Sequence, residues 1–418
     1  MDGPMKRAAM AQRYAVWLAC SGLVLAAYGA PLGYVQVKVG DSPLPPTLLV
    51  AELPKELDLP ESVHLAVGPD QPLVAAQVIR AVDGSRQLAF VLSAPLPARS
   101  QTTFEVQPGA VETPGLSLTE TAEAITVRRG PVEVLCYRNT SVPPPAGVAP
   151  IYARNAYIHP LRTPGGQVVT DDFAPDHPHQ KGVFCAWTKA KAGPRTVDFW
   201  NLPKGEGTVR YGETVVTTIG PVFAEFAVRQ EHLDLKAPET ERVALTETLT
   251  VRVWATGNAH VLDLESVQTA PAGRPLVLPT YLYGGMAFRG ARGWRGKMEY
   301  LTEQGPSREA PLKGQPPLRA AWCGISGPVG EGWAGMLALA DPANFRYPEP
   351  VRLHPTDPYF CFAPSQLGEW RFEPEQPRRF RYRLVVHDDR LTVAAGTAWQ
   401  QTYIHPPDVV FRIERPHP

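Results

Sequence analysis

Residues 172–182, DFAPDHPHQKG, hold more ionisable side chains and ring nitrogens than any other short stretch of the chain. Asp176 precedes His177, a proline separates His177 from His179, and Lys181 follows. Imidazole titrates near neutral pH and also binds transition metals. We therefore predict that His177, His179 and Asp176 form the reactive group. His177 and His179 are the candidate ligands of a divalent metal, the cofactor this pattern would use.

The backbone around Pro178 decides whether the two imidazoles can act together. A proline disfavours the helical conformation for the residue before it, so we expect His177 to be extended. In an extended strand both rings point to one side, whereas in a polyproline helix they diverge. The remaining alternative is a turn whose histidines bond backbone carbonyls. A metal site would need further ligands, and Asp176 or Asp198 could orient the rings.

Segments on both sides add the polar and aromatic groups that are typical of a sugar-binding cleft. TPGGQ (163–167) predicts a hairpin turn that brings the region of residue 157 near that of residue 168. Two later segments, 278–290 and 346–362, are interpreted as a second wall of the same cleft. We predict that the substrate is contacted by the following residues: His159, Arg154, Lys181, Asp198, Trp200, Tyr283, Arg289, Arg352 and His354. For Trp200 the alternative is packing in the core.

The elements that position these residues are predicted to be strands. In 242–255, Val243, Leu245 and Val251 share one parity while threonines occupy the other, which is the pattern of a half-buried strand. The same alternation recurs through the chain, and 46 prolines and 35 glycines supply many turns. We predict an all-β fold of stacked antiparallel sheets, with a short helix only near 391–403.

The chain divides into an export signal and two domains. Residues 1–30 carry a basic start and an apolar run that is too short to span a bilayer, which predicts a signal peptide and a periplasmic or secreted protein. An uncleaved anchor or a lipoprotein at Cys20 is the alternative. We predict a small β domain at 31–112, a linker at 113–120 that is rich in Gly, Pro, Ser and Thr, and a large β domain at 121–418.

Composition and missing motifs exclude several functions. Lys plus Arg and Asp plus Glu both number 41, so no basic excess points to nucleic acid. No segment after residue 30 is apolar enough to span a membrane. The chain has no GxSxG, P-loop, GxGxxG or HExxH motif, which removes support for serine hydrolase, nucleotide-dependent and zincin chemistry. The predicted partner is a carbohydrate or another small molecule.

Several blocks resemble one bacterial family. RNAYIHPL, TPGGQVVTDDFAPDHPHQKGVF, VDFW, YGGMAFRG, DPANFRYPEPVRLH and YRLVVHD occur in this order. Together they resemble the family named methane oxygenase PmoA, better described as PmoA-like proteins of unknown function. Its hallmark is similar to DHPHHRG, and this chain has Gln180 and Lys181 in place of the third histidine and the arginine. If that histidine is a ligand or base in the family, its function is lost here.

The resemblance implies an antiparallel β-supersandwich that is similar to galactose mutarotase. Methane oxidation does not fit, because a membrane monooxygenase subunit needs several membrane-spanning helices. The leading hypothesis is a secreted or periplasmic carbohydrate-active enzyme that uses the DHPH motif, with epimerase, lyase and hydrolase chemistry all open. The alternative is a non-catalytic sugar-binding or envelope structural protein, and the third is a metal-dependent oxidase.

Overall fold

The computed structural model describes residues 30–60, 62–68, 71–80, 84–111, 115–307 and 316–415. The predicted export signal at residues 1–30 therefore lies, except for its last residue, outside the described residues. Strands dominate the described part, and they form antiparallel sheets. The prediction of an all-β, antiparallel fold is confirmed.

The strands follow one another with short connections. The first thirteen are β1 (Gly33–Lys38), β2 (Leu48–Glu52), β3 (Ser62–Ala66), β4 (Val74–Arg80), β5 (Arg86–Val91), β6 (Gln101–Pro108), β7 (Leu116–Glu120), β8 (Ala124–Arg129), β9 (Val132–Arg138), β10 (Tyr157–Leu161), β11 (Val183–Ala186), β12 (Ala190–Ala192) and β13 (Arg195–Val197). The others are β14 (Gly207–Ile219), β15 (Phe223–Asp234), β16 (Val243–Ala255), β17 (Ala259–Thr269), β18 (Leu276–Leu278), β19 (Gly285–Arg289), β20 (Glu299–Thr302), β21 (Gly305–Ser307), β22 (Arg319–Ala320), β23 (Trp322–Val329), β24 (Gly332–Ala340), β25 (Glu349–Leu353), β26 (Tyr359–Phe362), β27 (Trp370–Phe372), β28 (Arg378–His387) and β29 (Asp408–Arg412).

Seven strands form the N-terminal sheet in the order β2-β5-β4-β3-β6-β1-β29. Its two edge strands, β2 and β29, approach each other, so the sheet curls around its own apolar core. Leu65, Leu88, Phe90 and Val106 are fully buried there. Burial of these side chains is the main stabilising contribution to the small domain.

Two strand pairings cross the boundaries predicted for the domains. The edge strand β29 comes from the C-terminus and pairs with β1, although residues 121–418 were assigned to the large domain. The predicted linker at 113–120 contains β7, whose residues from Leu116 to Glu120 pair with β8. The first pairing joins opposite ends of the chain and leaves no local signal, whereas the second is a hairpin between consecutive strands.

The large domain stacks two nine-stranded sheets. One has the order β22-β25-β26-β19-β11-β10-β9-β8-β7 and the other β14-β15-β16-β17-β28-β24-β23-β20-β21. A third, four-stranded sheet has the order β13-β12-β18-β27. Apolar side chains from the sheets share one core, as in other stacked antiparallel sheets.

The predicted alternation holds in β16. Leu245, Val251 and Val253 are buried, while Thr246 on the other parity is exposed. Glu247 shares the buried parity and is also buried, and its carboxylate contacts His232 Nε2 at 2.8 Å. This carboxylate can be buried between the stacked sheets because it is hydrogen-bonded there.

One α-helix, α1 (Val393–Ile404), lies in the described part, close to the predicted position of 391–403. Thr392 caps it by accepting a hydrogen bond from the amide of Ala395. Short 3₁₀ helices occupy Pro150–Tyr152, Glu239–Glu241, Arg292–Trp294 and Pro364–Leu367. Trp254, Trp322 and Trp399 pack with residues of the N-terminal sheet and join the two domains.

None of the helices within the described ranges has the length and apolar character that crossing a membrane would require.

Candidate functional site

The loop between β10 and β11 carries the DHPH motif and is shaped by a hairpin at its start. Arg162 bridges to Val168, and the amide of Gly166 donates to Thr163 O at 2.9 Å. The prediction of a turn at TPGGQ is confirmed. The turn returns the chain alongside β10, so that His159 Nδ1 lies 2.9 Å from Thr170 Oγ1.

His177, Pro178 and His179 form a tight turn, which was the third predicted alternative, although His177 Nδ1 contacts the Asp176 carboxylate and not a backbone carbonyl. The amide of Gln180 donates to His177 O at 3.0 Å, which is the closing hydrogen bond of a β-turn with proline at its second position. The turn places the two imidazoles side by side, with ring centres 5.5 Å apart and planes at 83°. The rings therefore meet through the turn itself, and an extended strand is not needed.

Asp176 orients His177 and is itself held by Arg289. His177 Nδ1 lies 2.9 Å from Asp176 Oδ2, and Arg289 donates to both oxygens of that carboxylate at 3.0–3.2 Å. Although partial burial acts to raise it, the hydrogen bond from His177 and the Arg289 guanidinium lower the pKa of Asp176 below its ordinary value. Arg289 is only 1% exposed, so it supports the site from beneath.

Gln180 occupies the position of the third family histidine and faces the interior. Its side chain is buried, and its Oε1 accepts a hydrogen bond of 2.8 Å from Arg289 Nη1. Position 180 thus belongs to the support of Arg289 and lies outside the exposed group of imidazoles. The glutamine supplies the acceptor that Arg289 needs at this position.

His354 and Asp357, on the loop between β25 and β26, join the site from a distant part of the sequence. The His354 ring centre lies 5.6 Å from that of His177. Asp357 Oδ2 lies 3.4 Å from His177 Nδ1 and 3.2 Å from His354 Nδ1. Its other oxygen accepts a hydrogen bond of 2.8 Å from Arg295. We call His177, His179 and His354 the histidine cluster.

Asp357 and Arg295 were not among the predicted site residues. Asp357 follows His354 by three residues in the segment HPTD, and this spacing is the signal that could have pointed to it. Its amide donates to His354 Nδ1 at 2.9 Å, which ties the two residues together. Arg295 gave no local signal, because only the packing of its 3₁₀ helix against this loop brings it near.

His179 is the least constrained member of the histidine cluster. Burial lowers its pKa to about 3, helped by the neighbouring His177, Arg154 and Arg289. Its ring therefore stays neutral at ordinary pH. Within the described ranges neither of its ring nitrogens has a hydrogen-bond partner.

Two tyrosines lie close to Arg352, which precedes His354 by two residues. The ring centres of Tyr281 and Tyr283 are 6.0 Å apart, and Cζ of Arg352 lies 5.5 Å from the centre of the Tyr283 ring. Both tyrosines are partly exposed. We call this pair the tyrosine wall; Tyr283 was a predicted contact, and Tyr281 joins it.

Four predicted substrate contacts lie inside the protein instead, which corrects their assignment: Arg154, Lys181, Trp200 and Arg289. Trp200 is 1% exposed and stacks on Phe184 with ring centres 3.6 Å apart, so it packs in the core. Arg154 is 2% exposed and donates to Trp200 O at 2.8 Å. Burial lowers the pKa of Arg154 to about 9. No surface face of either side chain is left for a sugar.

Lys181 belongs to this buried group, whereas the partly buried Asp198 has a structural role in its own loop. Lys181 is fully buried, and its Nζ bonds Asp172 Oδ1 at 2.5 Å, so its charge is neutralised internally. Burial lowers the pKa of Lys181 to about 8. Asp198 accepts from the amides of Trp200 and Asn201 at 2.9 and 2.8 Å, and it shapes that loop without orienting an imidazole.

A metal could be held by three residues of the site. One donor atom each from His177, His354 and Asp357 lies within 4.8 Å of the others. The sequence predicted His177 and His179 as ligands. Of these two, His177 belongs to the group, whose other members are His354 and Asp357.

Comparisons with solved structures give low similarities. A protein in glycosyl hydrolase family 38 from Enterococcus faecalis has 12% identity and a TM-score of 0.45, over 90% of this chain and 47% of that one. This chain thus spans about half of that protein's length. A galactose mutarotase related enzyme from Lactobacillus acidophilus has 10% identity and a TM-score of 0.30, over 66% of this chain and 100% of its own.

A galactose mutarotase-like protein from Lactobacillus casei ATCC 334 has 8% identity and a TM-score of 0.30, over 65% of this chain and 100% of its own. None of these three structures is similar enough to indicate a shared activity. A comparison with curated proteins gave no match.

A family model matches residues 124–400, which is about two thirds of the chain and includes every residue of the histidine cluster. The matching family is described as one of unknown function, and the match does not extend to the methane-oxygenase name. The chain belongs to DUF6807, a family of unknown function.

Proposed function

We propose that this protein acts on a sugar or sugar derivative at the histidine cluster. The observation that carries the proposal is the meeting of three imidazoles and two carboxylates, Asp176 and Asp357, at one partly exposed place on the large domain. Groups of this kind move protons to and from hydroxyl and carbon centres. Epimerisation, elimination and hydrolysis each need such a proton transfer.

The surroundings support a polyhydroxylated substrate. The partly exposed tyrosine wall offers apolar ring faces beside polar groups, the combination that sugar rings with both C–H and O–H edges require. Arg352 lies beside Tyr283 and two residues before His354, and its guanidinium can donate to sugar oxygens. In this proposal Tyr281 and Tyr283 provide the aromatic surface for the sugar, because Trp200 is buried.

Binding without chemistry is the second candidate. It is favoured by the open position of the site, since the His177 side chain keeps 35% of its surface exposed. Catalysis commonly uses a site from which water is excluded. A binding protein would use the tyrosine wall and the imidazoles to hold the sugar without converting it.

A screen of mono- and oligosaccharides, including uronic acids and oxidised sugars, tests both candidates. Binding is followed by calorimetry and conversion by NMR. For an enzyme, we expect His177→Ala to reduce turnover by roughly 100-fold or more with the fold intact. His405→Ala, at an exposed histidine far along the chain, is the control and should keep full turnover. Binding without conversion supports the second candidate, and the absence of both contradicts the proposal.

A further inference from the structure

We infer that His177, His354 and Asp357 bind one divalent first-row transition-metal ion. The role of the ion as a cofactor rests on the proposed function, but its binding does not. The binding itself is measured without any sugar. Within the described part of the chain, these residues form a group of His and Asp side chains that could hold a metal ion. One donor atom from each lies within 4.8 Å of the other two.

The donor separations match those around a small metal ion. Asp357 Oδ2 lies 3.4 Å from His177 Nδ1 and 3.2 Å from His354 Nδ1. Metal–nitrogen and metal–oxygen bonds of roughly 2.0–2.2 Å at tetrahedral angles separate neighbouring ligands by about 3.4 Å. The donor atoms of the third pair, His177 and His354, lie within 4.8 Å of each other, so the two rings would have to rotate toward a shared ion.

The hydrogen bonding of the site shows what a bound ion would replace. The amide of Asp357 donates to His354 Nδ1 at 2.9 Å, so this nitrogen is unprotonated, and its one lone pair would turn from the amide to the ion. Asp357 is 3% exposed, with one oxygen bonded to Arg295 and the other directed at the two ring nitrogens.

The charge around His177 also favours a cation. Oxygens of Asp176 and Asp357 lie 2.9 and 3.4 Å from the same nitrogen, Nδ1 of His177. A single N–H can satisfy only one of two carboxylates at this position. A bound cation would balance both.

The donor set indicates which ions fit. Two imidazoles and one carboxylate suit zinc, iron, manganese, cobalt or nickel, whereas calcium and magnesium prefer oxygen donors alone. Three protein ligands also leave coordination positions open. They face the exposed side of His177, where an oxygen atom of a sugar could bind the ion.

The test is elemental analysis of untagged protein that has been loaded with Zn²⁺ and then dialysed against metal-free buffer. We expect about one ion per chain in the wild type and a loss of roughly tenfold or more in affinity for His354→Ala and Asp357→Asn. His179→Ala is the matched control, because this neighbouring imidazole lies outside the triad and its removal should leave the ion bound. Thermal unfolding of each variant confirms that it is folded.

Substitution with Co²⁺ gives a second readout. The wild type should develop visible absorption bands from nitrogen- and oxygen-bound cobalt, and Asp357→Asn should lose them. A wild type that retains no ion, or triad variants that bind as tightly as the wild type, would overturn the inference. Bound metal without sugar conversion supports the inference while the proposed function fails. Conversion by metal-free protein supports the proposed function and overturns the metal's role.

Discussion

Arg289 connects the interior of the large domain to the exposed imidazoles. Its guanidinium binds Asp176 through two nitrogens and Gln180 through one, and Asp176 in turn fixes His177. The planar fork of arginine matches this arrangement, and a lysine could reach only part of it. The geometry of the histidine cluster therefore depends on a residue that no substrate touches.

Replacing Arg289 by lysine tests this dependence. We expect Arg289→Lys to lower the free energy of unfolding by about 2–3 kcal/mol, because Asp176 and Gln180 lose partners in a partly buried network. Arg292→Lys is the matched control, since Arg292 bonds Asp171 with half of its side chain exposed and should cost less than about 1 kcal/mol. Urea denaturation measures both, and equal losses would contradict the assigned role of Arg289.

Glu349 makes stability depend on pH. It is fully buried, and burial raises its pKa to about 7, although hydrogen bonds from Asn344 and Tyr382 act in the opposite direction. The folded protein keeps this proton up to about pH 7, while the unfolded chain releases it near its ordinary value of 4.5. This contribution to stability is therefore greatest below pH 4.5 and falls as the pH rises to 7.

Glu349→Gln should remove this dependence, because the amide resembles the protonated acid. The wild type should lose roughly 3 kcal/mol of stability from this group between pH 4.5 and 7, and the variant should lose almost none of it. Denaturation curves at several pH values measure the difference. Parallel pH profiles for the two proteins would show that Glu349 titrates normally.

At the scale of elements, β11 begins shortly after the DHPH motif and lies between β10 and β19 in the sheet. The amide of Gly182 donates to Asp171 O at 2.9 Å, and Gly182 O accepts from the Arg289 amide at 2.7 Å. Gly182 has a φ of +35°, and a Cβ there would overlap the carbonyl oxygen of Ile158 on β10. Only glycine allows the loop to enter β11 at this close approach.

Comparing Gly182→Ala with Gly166→Ala separates two effects on stability. One is the steric overlap of the added Cβ, and the other is the positive φ of the backbone. Gly166 also has a positive φ, but a Cβ there would meet no atom within 4 Å, so its substitution should cost roughly 1 kcal/mol. Gly182→Ala should cost roughly 3 kcal/mol or more, because it adds an overlap with backbone. Thermal unfolding of the pair measures the difference, and similar melting temperatures would refute the explanation.

Local patterns predicted the elements well and the site only in part. The alternation of β16, the turn at TPGGQ and the cap at Thr392 are set by residues close in sequence. The sequence left the backbone of the DHPH motif open between an extended strand, a polyproline helix and a turn, and a proline at the second position of a β-turn fits these residues. The contacts of Asp176 and Gln180 with Arg289 stabilise the turn.

At the scale of the whole molecule, the C-terminal strand closes the N-terminal sheet. Phe411 is buried within that sheet's core, and β29 pairs with β1 over five residues. The first and last described strands thus lie side by side. The small domain is complete only when the end of the chain has returned to it.

Phe411→Ala tests this closure. Loss of its buried ring should lower the free energy of unfolding by about 3 kcal/mol. Val410, next in the same strand and 42% exposed, provides the control, and Val410→Ala should change stability by less than about 0.5 kcal/mol. Chemical denaturation measures both variants. A tolerated Phe411→Ala would mean that β29 contributes little to the sheet.

The sequence by itself determined the fold class, most of the strands and the DHPH motif that we propose as the reactive group. These follow from side-chain periodicity, turn residues and residue type, which act over a few neighbouring positions. The tertiary structure decided that His354 and Asp357 meet His177, that Trp200 and Lys181 lie inside, and that Gln180 faces Arg289. These contacts join residues far apart in the chain, and only the order and packing of strands in space bring them together.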